Sequence, residues 1–254
     1  MWKEYKMKEL DPELLLITTK RFRDQLMLLP ELIDEYAFEV KQFFKNCKTP
    51  LDAINKVIVK IKYPLDRFGN PTDFHYYQAF KNFIWGCKKC YRNDWDYWQK
   101  SSETAWLEMG DCEDSSILTA AGLELLKVPY FVAFGKVYKN ATFLGYHAWI
   151  VTNVLGWRLV ETTLDQPYKT IHDIPAIDPG VNCWYVGAIK YEAMVLWNKR
   201  ILRTWEENMS NPNPVRKLHD YMKASFKEKE TKKKYRALNE EYKAVLGYGT
   251  KVRA

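Results

Sequence analysis

The 254-residue chain is 47% apolar and 15% aromatic, which excludes a disordered polypeptide and allows a sizeable buried core. Its net charge of +7 is uneven: residues 199–254 carry fifteen Lys+Arg and seven Asp+Glu, a net of +8, leaving −1 for residues 1–198. The five cysteines, at 47, 87, 90, 112 and 183, are odd in number and scattered, a pattern that argues against a disulfide framework and fits a reducing compartment.

The N-terminal stretch from Met1 to Lys8 leads into mixed charge and does not read as a secretory signal. No uncharged apolar run approaches the roughly 20 residues of a membrane helix, so a cytoplasmic protein with no membrane partner is expected. Residues 12–45 are predicted helical, because Phe22, Leu26, Leu29, Ile33, Tyr36, Val40 and Phe43 recur three and four apart, with a kink or break at Pro30. Leu51–Ile61 predicts a second helix, stopped by Tyr63-Pro64, and Arg67–Pro71 a turn. The tryptophans at 85, 95, 98 and 106 fall in an aromatic stretch that reads as core or rim. Cys87-Lys88-Lys89-Cys90 has the spacing of half a zinc site, but no second pair and no adjacent histidine complete it. No metal or other cofactor is therefore expected.

Gly110-Asp111-Cys112-Glu113-Asp114-Ser115-Ser116 runs into an apolar segment ending at Leu126. The periodicity places Cys112 at or near the first turn of a helix, at the positive end of its dipole. Strands are predicted at Tyr130–Tyr138, Tyr146–Val154 and Trp157–Thr163, with a turn at Lys139-Asn140. The proline-bearing stretch Ile174–Gly180 reads as loop, and Cys183–Ile189 as a last strand. Asn208–Pro214 is a linker by composition. Beyond it Leu218, Met222, Phe226, Tyr235, Leu238, Tyr242 and Val245 line one face of a basic helix. That helix is expected to pack on the domain or on a protein partner. Nucleic-acid binding through Lys232-Lys233-Lys234 is the weaker alternative, because interspersed glutamates dilute the field.

The order Cys112, His147, acid carries the functional reading. A thiol near its ordinary pKa of about 8.5 is mostly protonated at neutral pH. His147 can take its proton and return it to a leaving amine, and a carboxylate on the other ring nitrogen fixes the tautomer. Asp111, Glu113 and Asp114 oppose thiolate formation where they lie close. Backbone N–H groups at the helix start, that of Cys112 included, are candidates to face an oxyanion. Glu161 and Asp165 are both candidate acids; four residues apart, they share a strand face at about 13 Å separation, so one at most touches His147. With the hairpin turn near Val154–Gly156, Glu161 falls almost opposite His147 and is the choice.

These residues carry a resemblance. Asp94-Trp95 through Glu103, Gly110–Asp114, His147-Ala148-Trp149, and Gly156-Trp157 with Glu161-Thr162-Thr163 resemble the transglutaminase-like superfamily, most of all its bacterial transglutaminase-like cysteine proteinases. The resemblance covers roughly residues 50–170 and implies a papain-like α+β core, with Cys112 as nucleophile, His147 as base and Glu161 where the family usually has Asp. It also implies a tryptophan near the oxyanion, which 85, 95, 98 and 106 compete to supply. Ser115-Ser116 departs from the aromatic-plus-small pair usual in that subgroup.

The expected organisation is a helical N-terminal extension over 1–49, a transglutaminase-like core over 50–190 and a basic helical extension over 191–254. The expected function is cleavage of an amide in a protein or peptide substrate through a thioester, by a peptidase or amidase with the triad Cys112, His147 and Glu161. Acyl transfer to an amine, or a non-catalytic interaction protein on the same fold, is the alternative.

Overall fold

β-Branched and aromatic runs recur from Tyr130 to Trp205, and here the chain pairs into an antiparallel sheet on which the helices assemble. The computed structural model describes residues 1–10, 16–19, 25–64, 75–76, 93–94, 98–205 and 228–247. In chain order these form β1 (Trp2–Lys6), β2 (Leu16–Thr19), β3 (Gln25–Leu28), α1 (Phe38–Phe44), α2 (Pro50–Lys60), β4 (His75–Tyr76), β5 (Asn93–Asp94), α3 (Ser101–Leu107) and α4 (Cys112–Leu125). There follow β6 (Tyr130–Lys139), β7 (Thr142–Asn153), β8 (Trp157–Val160), β9 (Cys183–Val186), β10 (Ile189–Trp197), β11 (Ile201–Trp205) and α5 (Glu228–Val245). Seven strands make one sheet in the order β1-β11-β10-β6-β7-β8, with β9 paired to β10. Every pairing in it is antiparallel, so the class is α+β. β2 pairs with β3 and β4 with β5 as separate two-stranded units.

The β6–β7 hairpin turns on Asn140 and Ala141, at φ +48° and +65°. Two left-handed residues in a two-residue loop match the twist of the flanking strands. Lys139 consequently pairs with Thr142, and Gly135 with His147. A Cβ on Gly135 would stand 2.0 Å from the carbonyl oxygen of Glu192 on β10, next to an irregularity between Ala193 and Val195. Only glycine permits that approach.

α4 is buried from Cys112 through Leu123, packed against β6 and β7 and against α1, α2 and α3. Small and apolar residues on every side suit a helix inside a core. At Gly122 a Cβ would lie 2.7 Å from the Phe44 ring of α1. α2 begins with a reciprocal cap: Asp52 N–H donates to Thr49 Oγ1 at 3.1 Å, and Thr49 N–H to Asp52 Oδ2 at 2.9 Å. Its buried stripe is Ala53, Ile54, Val57 and Ile58.

Three expectations are corrected. Among the described residues of 12–45 the α-helix is Phe38–Phe44, whereas Leu16–Thr19 and Gln25–Leu28 pair as strands and Leu29–Leu32 make a single 3-10 turn. β-Branched Ile17, Thr18 and Thr19 favour extended backbone, and Pro30 stands in the first turn of the short 3-10 helix that follows β3. The first residues are no helical extension either, since β1 pairs along β11 from Trp2↔Trp205 to Lys6↔Ile201. A boundary at 190 cuts through β10, and both β10 and β11 belong to the sheet. Of the basic C-terminal region, Glu228–Val245 is the described helix. It packs on β7 and β9 with Leu238 and Tyr242 buried. Lys234 of the lysine run also points inward, donating to the Tyr146 carbonyl at 2.5 Å. No helix among the described residues is long and apolar enough to cross a membrane. The predicted turn at 67–71, the linker at 208–214, Cys87, Cys90, Trp85 and Trp95, and Leu218, Met222 and Phe226 lie outside the described residues.

Candidate active site

The start of α4 is built by Asp114. Its buried carboxylate accepts Gln99 N–H at 2.7 Å, Gln99 Nε2 at 2.9 Å and Asp111 N–H at 3.3 Å. Gln99 Nε2 also reaches the Met109 carbonyl at 3.3 Å, and Gly110 N–H donates to the Lys62 carbonyl at 3.1 Å. The turn before the helix is thereby tied to two other segments. Asp111 is the N-cap and Cys112 the first helical residue, so the thiol sits in the first turn, where the dipole favours negative charge.

The three acids around Cys112 have separate duties. Asp114 holds the turn, while the Cys112 thiol, 4% exposed, donates to Glu113 Oε2 at 3.2 Å. A thiol can make that bond and a thiolate cannot, since the carboxylate only accepts. Ligand-type oxygens of Asp111, Glu113 and Asp114 lie within 4.8 Å of one another, so these are the described residues able to hold a cation. The contacts of Asp114 to N–H groups and of Glu113 to the thiol already use oxygens of that cluster.

His147 stands on β7 and Glu161 just past the end of β8. Val160 pairs with Ile150, so Glu161 falls near His147 on the neighbouring strand. Nε2 and Glu161 Oε2 are 2.7 Å apart, both side chains buried. Glu161 Oε1 accepts Thr163 N–H at 3.0 Å and Thr163 Oγ1 at 2.7 Å, and Oε2 accepts Tyr191 Oη at 2.9 Å. Burial pushes this carboxyl up, but the charge and hydrogen bond of His147 and the two bonds from Thr163 outweigh it and hold the group below the usual carboxylate range. An ionised carboxylate only accepts, so Nε2 carries the proton. In the neutral ring the lone pair is then on Nδ1, which is buried and makes no hydrogen bond among the described residues.

Of the two carboxylates weighed from sequence, Glu161 is on the histidine. Asp165 turns instead to α5, accepting Tyr235 Oη at 2.7 Å and pairing with Lys243 Nζ at 2.9 Å. Trp98 is buried 6.0 Å from the ring of Phe134, whereas Trp106 is 60% exposed; Trp98 is thus the described tryptophan next to the Gln99–Asp114 contact. Ser116 Oγ lies 3.2 Å from Thr162 Oγ1, which brings the first turns of α4 against the residue after Glu161.

Sequence reasoning missed the shell around Glu161. Thr163 was visible in the Glu161-Thr162-Thr163 motif but had no assigned role. Tyr191 fell beyond the boundary at 190 and was lost with it. Tyr168 holds the backbone of Glu161, accepting its N–H at 3.0 Å, and nothing in the local pattern marked it. Comparison with protein-family models gave no match, and none of the curated proteins matches the chain.

Proposed function

We propose that the protein is a thiol-dependent amide-bond enzyme, with Cys112 as nucleophile, His147 as general base and Glu161 as the orienting acid. The observation that carries this reading is the buried His147–Glu161 pair, which leaves an unbonded Nδ1 lone pair. Leaving such an atom unsatisfied costs about 1–3 kcal/mol, which is reasonable where that atom has a reaction to perform.

In the proposed cycle the thiol leaves Glu113 Oε2 and gives its proton to Nδ1. The thiolate attacks the amide carbon, and the tetrahedral oxyanion faces N–H groups of the first turn of α4. Collapse forms a thioester as Nδ1 returns the proton to the departing amine. Water, deprotonated at the same nitrogen, then releases the acid; an amine in place of water would make the reaction acyl transfer. A protein or peptide is the proposed substrate.

A second reading has its own support. Cys112, His147 and Glu161 are at most 4% exposed, and the thiol is directed at Glu113, as in an interaction protein that keeps the fold without the reaction. Alkylation by iodoacetamide, followed at Cys112 across pH, separates the two. Cys47 is the internal reference, its thiol pushed up chiefly by burial and partly offset by Lys56. The enzyme reading expects Cys112 to react at least tenfold faster than Cys47 at pH 7, with the excess lost in His147→Ala. Equal rates at the two cysteines would sink it.

A further inference from the structure

The tyrosines behind Glu161 have no part in the cycle above, yet they are placed on its acid. We propose that Tyr191 is a positioning residue: it shares Glu161 Oε2 with His147 and so sets how much of the carboxylate charge the imidazole receives. The consequence for the thiol rests on the proposed enzyme reading; the geometry does not.

Tyr191 Oη donates to the same oxygen, at 2.9 Å, that His147 Nε2 meets at 2.7 Å. Tyr191 Oη also lies 3.5 Å from Tyr242 Oη on α5. A phenol has one hydrogen, and the ionised oxygen is its stronger acceptor. The Tyr242 oxygen, at 3.5 Å, is the longer and weaker alternative acceptor for that hydrogen. Tyr242 thus competes with Glu161 for it, and the shorter bond to the carboxylate prevails.

The reach is itself informative. β10 and β8 are separated by β6 and β7, about 14 Å at roughly 4.8 Å per strand. Tyr191 pairs with Val137, and Val137 with Gly145. The Tyr191 ring packs against Trp149 at 5.1 Å and lies 6.4 Å from the His147 ring, which fixes its direction.

Both tyrosines are fully buried, and burial pushes both hydroxyls well above the usual tyrosine range, so each stays a donor. The ionisable groups facing Glu161 are His147 from β7, Tyr191 from β10, Tyr242 from α5 and Tyr168 from the loop after β8. None of these four is a carboxylate that could take over the role of Glu161.

Removing the Tyr191 hydroxyl leaves the whole Oε2 charge to Nε2–H and stabilises the imidazolium. The test uses the full chain and two readouts: the NMR titration of His147, assigned with His147→Ala, and the pH dependence of Cys112 alkylation by iodoacetamide. Tyr191→Phe is expected to raise the His147 titration by about half a pH unit, and alkylation at pH 6 by about threefold. Tyr242→Phe removes the competing acceptor, so it is expected to move both the opposite way by less, and it keeps the test available should the first variant not fold. A His147 titration unmoved in both variants, lowered in Tyr191→Phe or raised in Tyr242→Phe overturns the proposal, as does an equal loss of alkylation at every pH, which marks simple packing. A raised His147 titration with Cys112 no faster than Cys47 supports the positioning while rejecting the enzyme reading.

Discussion

Glu113 is the side chain that most directly opposes reactivity at Cys112, because it accepts the thiol hydrogen at 3.2 Å. Replacing it by Gln removes a charge that a thiolate would have to face. Glu113→Gln is expected to raise Cys112 alkylation at pH 7 by about three- to tenfold, measured by mass spectrometry of the labelled peptide. Glu161 gives a prediction of opposite kind, about acid stability. Its carboxyl is lower in the folded chain than in the unfolded one, net of a burial effect that alone would raise it. Such a group stabilises the fold at pH values above its unfolded pKa of about 4.3, and that contribution is lost as pH falls through the folded value. Denaturant unfolding of the wild type should therefore weaken between pH 6 and pH 3 by more than that of Glu161→Gln; parallel losses would contradict the assignment. At this scale the sequence was informative about residue types and their order. It was silent on duties within the Asp111, Glu113 and Asp114 trio, because which acid meets a thiol and which meets Gln99 depends on where a separate segment docks.

α4 is an element whose surroundings matter more than its own pattern. Cys112 through Leu123 are buried on all sides, so no amphipathic stripe announces its orientation; the cap and the following apolar run reveal only that it is a helix. Its placement depends on Asp114. Asp114→Asn retains the shape but weakens three charge-assisted bonds, one of them from the Gln99 side chain. The expected cost is about 1.5–3 kcal/mol, read as a lower urea midpoint at unchanged slope, together with slower Cys112 alkylation as the first turn loosens. At the other end Gly122 admits the Phe44 ring. Gly122→Ala should cost about 1–3 kcal/mol as that ring is displaced, whereas the same change at an exposed helical glycine would stabilise. The strands were more legible than the helices of the first fifty residues. β6 and β7 are long, bounded by a turn dipeptide and rich in β-branched and aromatic residues, whereas Leu26, Leu29, Ile33 and Tyr36 meet helical spacing outside any α-helix, and only Val40 and Phe43 of that stripe fall in α1 among the described residues.

For the whole molecule, the first strand and the helix Glu228–Val245 both dock on the central sheet. β1 completes the sheet beside β11, and α5 is laced to the loop after Glu161 through Asn239, which accepts Asp165 N–H at 2.6 Å and donates to the Thr163 carbonyl at 3.3 Å. Asn239→Ala should lower stability by about 1–3 kcal/mol, seen in thermal unfolding, and slow Cys112 alkylation by releasing Thr163 from behind Glu161. The basic helix is thus part of the fold, with Lys234 turned inward and Lys139 and Lys243 paired to Glu241 and Asp165. What the sequence determined by itself was local: an α+β mixture, a cysteine at a helix start, a histidine and an acid on neighbouring strands, and the direction of the charge imbalance. Periodicity, capping and turn chemistry act over a few residues, so they are written in the order of the chain. The tertiary structure decided what spans it: that β1 joins the sheet beside β11 and α5 packs on it, and that Tyr191 reaches the Glu161 carboxylate with Tyr242 beside it. Those outcomes depend on register across several strands and on the docking of segments 30 or more residues apart, distances at which no local spacing carries information.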